Sequence, residues 1–248
     1  MLSRKTLRDK IKDINTDDNN IINGMWIGNS LSNLEKLSIN SFLKNGHEYH
    51  LYLYNDVEGV PDGVVIKDAD KILKYEKMKN RIFSYWFKCV LLYKEGGWWA
   101  DLDVVCLKKF DVNRPYVFST EGGRRGIISN CVVKSAKNSE VMKHCWSRFI
   151  DEVHDENSHK FLKNSYYELN NACHKFNLMD FSVMKEIFEP FDQYQILKSF
   201  REDKNDLESK PLIYSIHFVN SMISFLDMDK NATYNKDSLF EKLKERYL

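Results

Sequence analysis

Residues 80–106, NRIFSYWFKCVLLYKEGGWWADLDVVC, decide the fold. Ile82, Trp86, Val90 and Tyr93 recur near i, i+4, i+8 and i+11, which predicts a helix over 80–95. Gly96-Gly97 ends it. The run WWADLDVVCL (98–107) then reads as a strand interrupted by Asp101 and Asp103. On extended backbone, residues i and i+2 project to one side. The two carboxylates therefore share a face, while Trp98 and Trp99 point to opposite sides, one of them into the core. Acids set between Gly-Gly-Trp-Trp-Ala and Val-Val-Cys-Leu lose hydration and repel each other unless a cation or strong donors sit beside them. Mg²⁺ or Mn²⁺ meets that need, because hard divalent ions take oxygen ligands and link one or two carboxylates to a substrate's phosphates. Spacing alone also fits a pair of exposed turn aspartates; the apolar surroundings favour the buried pair.

Outward from this stretch the chain alternates strands and helices. IINGMWIG (21–28) is an apolar run closed by Gly and reads as a buried strand. Leu31, Leu34, Leu37 and Phe42 follow at helical spacing up to Asn45-Gly46, and HEYHLYLYND (47–56) is a second strand. Strand, helix, strand in this order implies a βαβ unit with a parallel sheet. Residues 64–66, 116–120 and 129–134 read as further strands, 138–190 as mainly helical, and 211–220 as a late strand. The end, 237–248, is a short helix with Ser238 and Glu241 spaced as a capping box. This helix could dock on the domain or lie on a membrane face. The expected fold class is α/β: one domain over 21–248, an open, mostly parallel sheet flanked by helices, with a polar tail at 1–20. Such sheets bind ligands at the carboxyl ends of their strands.

Composition narrows the function. The formal net charge of +1 excludes a strongly basic nucleic-acid binder, and 43% hydrophobic residues suffice for a core without disulfide or structural metal. Five cysteines with no CxxC read as reduced thiols. The N-terminus lacks an apolar signal stretch and no run approaches the length of a membrane span. The expected location is cytoplasmic, with peripheral contact at the inner membrane face as the membrane association considered.

Residues 83–103, with Asp101-Leu102-Asp103 at their end, resemble the DXD signature of sugar-binding glycosyltransferases of the GT-A fold, such as the family 32 and capsular polysaccharide transferases and the catalytic domain of large clostridial toxins. Met25-Trp26-Ile27-Gly28 resembles their first strand, with Trp26 and Ile27 near the nucleotide base. Leu51–Asp56 resembles the second strand, with Asn55 at its nucleotide-contacting end. Ser129-Asn130-Cys131 resembles the stretch facing the sugar, and His217 with Ser221 a late element near metal and diphosphate. Tyr85 and Lys88 stand where the family often has Asp and Arg, and Met222 where it has Trp. Lys is a point charge without the two-pronged geometry of Arg.

The resemblance implies a metal-dependent transfer of sugar from a nucleoside diphosphate sugar, a UDP-sugar by expectation, to a hydroxyl of a saccharide or glycoconjugate acceptor, with retention of the α configuration. It assigns Asp101, Asp103 and Asn130 to catalysis, and Asp101, Asp103 and His217 to the metal. Trp26, Ile27, Asn55, Ser84, Lys88, Trp99 and Ser221 are assigned to the donor. Each has a bland counterpart: Trp26 ending a core strand, His217 as a satisfied core histidine, and Arg124 and Arg125 as a solvated loop rather than a lid or clamp. Asp68 and Asp70 share the i, i+2 spacing, but capping of a helix start explains them. Two rival readings stay open. One is a nucleotide-sugar binder of the same fold without turnover. The other is a haloacid-dehalogenase-type phosphatase using Asp-Leu-Asp-Val-Val, although that motif ends the first strand of such domains.

Overall fold

The computed structural model describes residues 20–121, 127–153, 159–202 and 212–248. The expected tail up to residue 19 and the Arg124-Arg125 pair lie outside the described residues.

Six strands form one sheet: β1 (Ile21–Trp26), β2 (Glu48–Leu53), β3 (Val65–Asp68), β4 (Gly97–Ala100), β6 (Val117–Glu121) and β7 (Ile127–Ser135). Their order is β3-β2-β1-β4-β7-β6. β1 pairs in parallel with both β2 and β4, and β2 with β3, while β7 runs antiparallel to β4 and β6. This is the α/β class expected from sequence: an open, mostly parallel sheet with helices on both faces.

The faces follow from strand alternation. Trp98 and Trp99 are both fully buried, one on each side of the sheet, where a single core tryptophan was expected. Trp99 joins Phe83, Phe87 and Val90 of α2 (Asn80–Lys94), with Met142 of α3 (Glu140–Val153) and Leu169 of α4 (His159–Lys175). Trp98 joins Ile39 and Phe42 of α1 (Asn33–Lys44) together with Phe110 and Phe188. Helix α1 starts at a full capping box, Ser32 with Glu35. The turn into β4 needs its glycines: Gly96 and Gly97 have φ of +71° and +82°. A Cβ on Gly96 would also lie 2.7 Å from the Lys137 backbone nitrogen. All five cysteines are free and buried.

Three sequence expectations are corrected. The continuous strand over 98–107 divides into β4 and β5 (Val104–Cys106), which belong to different sheets. The Asp101 N–H donates to Cys131 O at 2.9 Å, and the Val104 N–H closes a turn on Asp101 O at 3.1 Å. The aspartates thus converge across a turn instead of standing side by side on a strand. The late strand shrinks to β8 (Ser215–His217), because α7 (Asn220–Phe225) begins three residues later and carries Ser221. In the C-terminal helix α8 (Leu239–Tyr247), Ser238 caps the Glu241 N–H, but the Glu241 carboxylate turns to the Tyr234 N–H and Lys244 instead of completing the box. The Asp68 side chain does cap a short 3-10 turn by accepting from the Asp70 N–H.

Candidate active site

A parallel sheet whose strand order reverses leaves a crevice at the carboxyl ends of the strands on either side of the reversal. Here β1 is followed outward by β2 on one side and β4 on the other, so the crevice opens beyond Trp26 and Ala100. A cleft of about 660 Å³ occupies that place. Of the residues assigned from sequence, Trp26, Ile27, Ser84, Lys88, Trp99, Asp101, Asp103, Asn130, His217 and Ser221 line it. Asn55 does not: it is exposed and donates to Gly28 O at 3.4 Å and Asp56 O at 2.8 Å.

The β5–β8 ribbon brings His217 to the aspartates from 114 positions further along the chain. Val104 pairs with His217 in its antiparallel register, and the Phe218 N–H donates to Asp103 O at 2.9 Å. Helix α1 pins the ribbon: Ser38 Oγ donates to Val104 O at 2.6 Å, and Ser41 Oγ accepts from the Cys106 N–H at 2.7 Å. Val219 then takes φ 52° and ψ 71°, a left-handed conformation disfavoured for a β-branched side chain. That twist leads into Asn220, whose N–H donates to Asp103 Oδ2 at 2.6 Å. Strain of this kind persists only where the surrounding structure holds it, and it clusters at functional sites.

The charges alternate. His217 Nε2 lies 3.4 Å from Asp103 Oδ1, and His217 Nδ1 lies 3.1 Å from Glu189 Oε2. Lys88, buried, places Nζ 3.3 Å from Asp101 Oδ1, donates to Asn130 O and stands 5.1 Å over the Trp99 ring. Trp99 Nε1 donates to the same Asp101 oxygen at 2.6 Å. Burial pushes the Asp101 carboxyl above its ordinary range, only partly opposed by Lys88. Burial acts on Asp103 in the same direction, but His217 and the Asn220 N–H outweigh it and hold that carboxyl low. Burial alone would lower the His217 imidazole; Asp103 reverses this and raises it well above the usual histidine value.

Asp103 Oδ1 is buried and receives no hydrogen bond. Asp101, Asp103 and His217 each offer a ligand atom, all within 4.8 Å of one another. Two carboxylates and an imidazole beside a buried oxygen that lacks a hydrogen bond fit a divalent cation. Trp26 is partly buried; its Nε1 donates to Ser30 O at 3.1 Å, which fixes one ring edge, and Lys230 Nζ stands over one ring face, 5.6 Å from the centroid.

Glu189, Val219 and Asn220 were not singled out from sequence. Glu189 carried a usable signal: it is an acid between Phe188 and Phe191, the same anomaly that marks Asp101 and Asp103. Asn220 carried none, since it acts through a backbone N–H.

Residues 32–119 match the family model described as the glycosyltransferase sugar-binding region containing DXD motif. That matched stretch runs from the cap of α1 into β6 and includes Asp101 and Asp103. No curated protein matches the chain. Among solved structures, the PaToxG glycosyltransferase is 13% identical with a TM-score of 0.46, over 92% of this chain and 85% of that one. The glycosyltransferase GlyE of Streptococcus pneumoniae is 11% identical with a TM-score of 0.47, over 85% of this chain and 61% of that one. Among the described residues, no helix is long and apolar enough to cross a membrane.

Proposed function

We propose that the chain is a metal-dependent glycosyltransferase that moves a sugar from a nucleoside diphosphate sugar, a UDP-sugar by resemblance, to a hydroxyl of a saccharide or glycoconjugate acceptor. One observation carries the reading: a buried Asp103 oxygen without a hydrogen bond, facing Asp101 and His217 in a cleft at the strand ends. Mn²⁺ or Mg²⁺ held by Asp101, Asp103 and His217 would supply Lewis-acid neutralisation of the leaving diphosphate.

The chain's own groups do the rest. The partly buried Trp26 ring offers a face for a nucleobase. Lys88 ties Asp101 to the Asn130 carbonyl, linking the acid to the candidate sugar contact. Asn130 Oδ1 is buried and without a partner, an acceptor ready for a sugar hydroxyl. Retention of the α configuration and a role in polysaccharide assembly follow from the resemblance. The test is hydrolysis and transfer with a panel of nucleoside diphosphate sugars, with Mn²⁺, with Mg²⁺ and with EDTA. Turnover that requires the metal and is lost in Asp103→Asn supports the reading; full turnover of that variant in EDTA overturns it. Mn²⁺-dependent nucleotide binding without turnover would select the non-catalytic binder, and release of phosphate from p-nitrophenyl phosphate would select the phosphatase.

A further inference from the structure

We propose that Glu189 is a positioning residue that fixes the ring of His217, presenting Nε2 to the Asp101–Asp103 pair; this rests on the metal reading above. His217 is held between two acids that approach its opposite nitrogens, Glu189 at Nδ1 and Asp103 at Nε2. An ionised carboxylate only accepts hydrogen bonds, so Nδ1 carries the hydrogen in its contact with Glu189. Nε2 is thereby the nitrogen left to face the cleft. Metal-binding histidines commonly donate their other N–H to a carboxylate, which sets both tautomer and ring orientation.

The fold builds this contact on purpose-made supports. Glu189 follows α5 (Lys185–Phe188) and is buried. The segment is stitched to the His217 strand: the Tyr214 N–H donates to Ile187 O at 2.7 Å, and Ser215 Oγ donates to Phe188 O at 2.9 Å. Phe188 anchors it, packing on Phe110 and Trp98 at centroid distances of 5.0 and 6.1 Å. Glu189 therefore arrives beside Nδ1 on the same scaffold that carries the ring. Ser129 and Cys131 also stand beside its carboxylate, whose Oε1 is buried without a hydrogen bond of good geometry. Cys131, Glu189 and His217 also form a cluster with ligand atoms within 4.8 Å. A direct-ligand role for Glu189 is the competing outcome of the test.

The experiment uses the full chain and Mn²⁺ as probe. Free Mn²⁺ is titrated by electron paramagnetic resonance with wild type, Glu189→Gln, Glu189→Ala, His217→Ala and the Glu189→Ala/His217→Ala double variant. Metal-free unfolding curves show that each is folded. The expected result is a 10–100-fold weaker affinity for Glu189→Ala, partial recovery with Gln, whose amide oxygen still accepts from Nδ1, and no further loss in the His217→Ala background. Wild-type affinity in Glu189→Ala overturns the proposal, as does an equal loss when His217 is already absent, the signature of a direct ligand. The ¹⁵N signals of the His217 ring, recorded without metal at a pH high enough to leave it neutral, give a second readout. An Nδ1–H tautomer that is lost in Glu189→Ala supports the positioning role, and an Nε2–H tautomer in wild type overturns it. A wild type that binds no Mn²⁺ but shows the Nδ1–H tautomer overturns the metal reading alone.

Discussion

Two histidines in this protein, His47 buried and His217 half-buried, do opposite things. At the amino end of β2, His47 accepts the Phe110 N–H on Nε2 at 2.9 Å, and its Nδ1 meets Asn20 O at 3.1 Å. Phe42 and Phe110 enclose it edge-on, at centroid distances of 5.8 and 5.5 Å. Burial pushes its pKa down to about 4, so it stays neutral and serves as a joint between loops. At the carboxyl end of the sheet, His217 faces Asp103 and Glu189, and Asp103 raises its pKa against the effect of burial. Burial desolvates both rings; the partners decide the charge. A ring whose nitrogens are matched to one carbonyl and one amide is closed to ligands, whereas a ring set between acids is balanced only by a proton or a cation.

The comparison breaks first at the acids. Asp103→Asn should lower metal-dependent turnover by on the order of 10²–10³, the usual cost of losing preorganised charge stabilisation, while far-ultraviolet circular dichroism stays unchanged. Turnover within a few-fold of wild type would make the His217 cluster as structural as His47.

The next effect is in pH. The His47 pKa in the fold, about 4, lies below its unfolded value of 6.5, so its contribution is complete above pH 6.5 and is lost as pH falls toward 4. The loss amounts to roughly 3 kcal/mol, and denaturant unfolding of wild type and His47→Gln across that window measures it as a difference in slope. His217 has the reverse sign in the metal-free protein. Its raised pKa gives a contribution that is complete below pH 6.5 and is lost as pH rises through the folded value. His217→Gln should flatten that alkaline decline; an unchanged decline would place its origin elsewhere.

A smaller effect concerns the twist that serves Asp103. Val219→Gly removes the left-handed strain, about 1–3 kcal/mol, but also frees the chain that aims the Asn220 N–H. Stability should rise or hold while metal affinity falls; a rise in both would show that the strain serves nothing at the site. The smallest is Ser238→Ala, expected to cost about 1 kcal/mol through the lost cap of α8, with no change in metal affinity.

Much of the fold was legible because periodicity is local. The α2 pattern, the Gly-Gly stop and the alternating β2 each declare themselves within about fifteen residues. The division of 98–107 was hidden, because Val104–Cys106 are apolar in either sheet and only pairing with β8 settles which one they join. At the site, Asp101, Asp103 and His217 stood out as polar groups in apolar runs. Glu189 shared that mark, but nothing in a linear reading says which acid meets which ring.

By itself the sequence determined most of the strands and helices, that the sheet is mostly parallel, and that acids lie where water is scarce, since all of these depend on short-range pattern and hydration. Tertiary structure alone decided that Asp101 and Asp103 meet across a turn, that Glu189 and Asp103 take opposite nitrogens of His217, and that Asn55 stays outside the cleft. The meeting of Asp103 with His217 depends on strand pairing between residues more than a hundred positions apart, and the free energy that selects that pairing is shared over the whole core rather than written at either end.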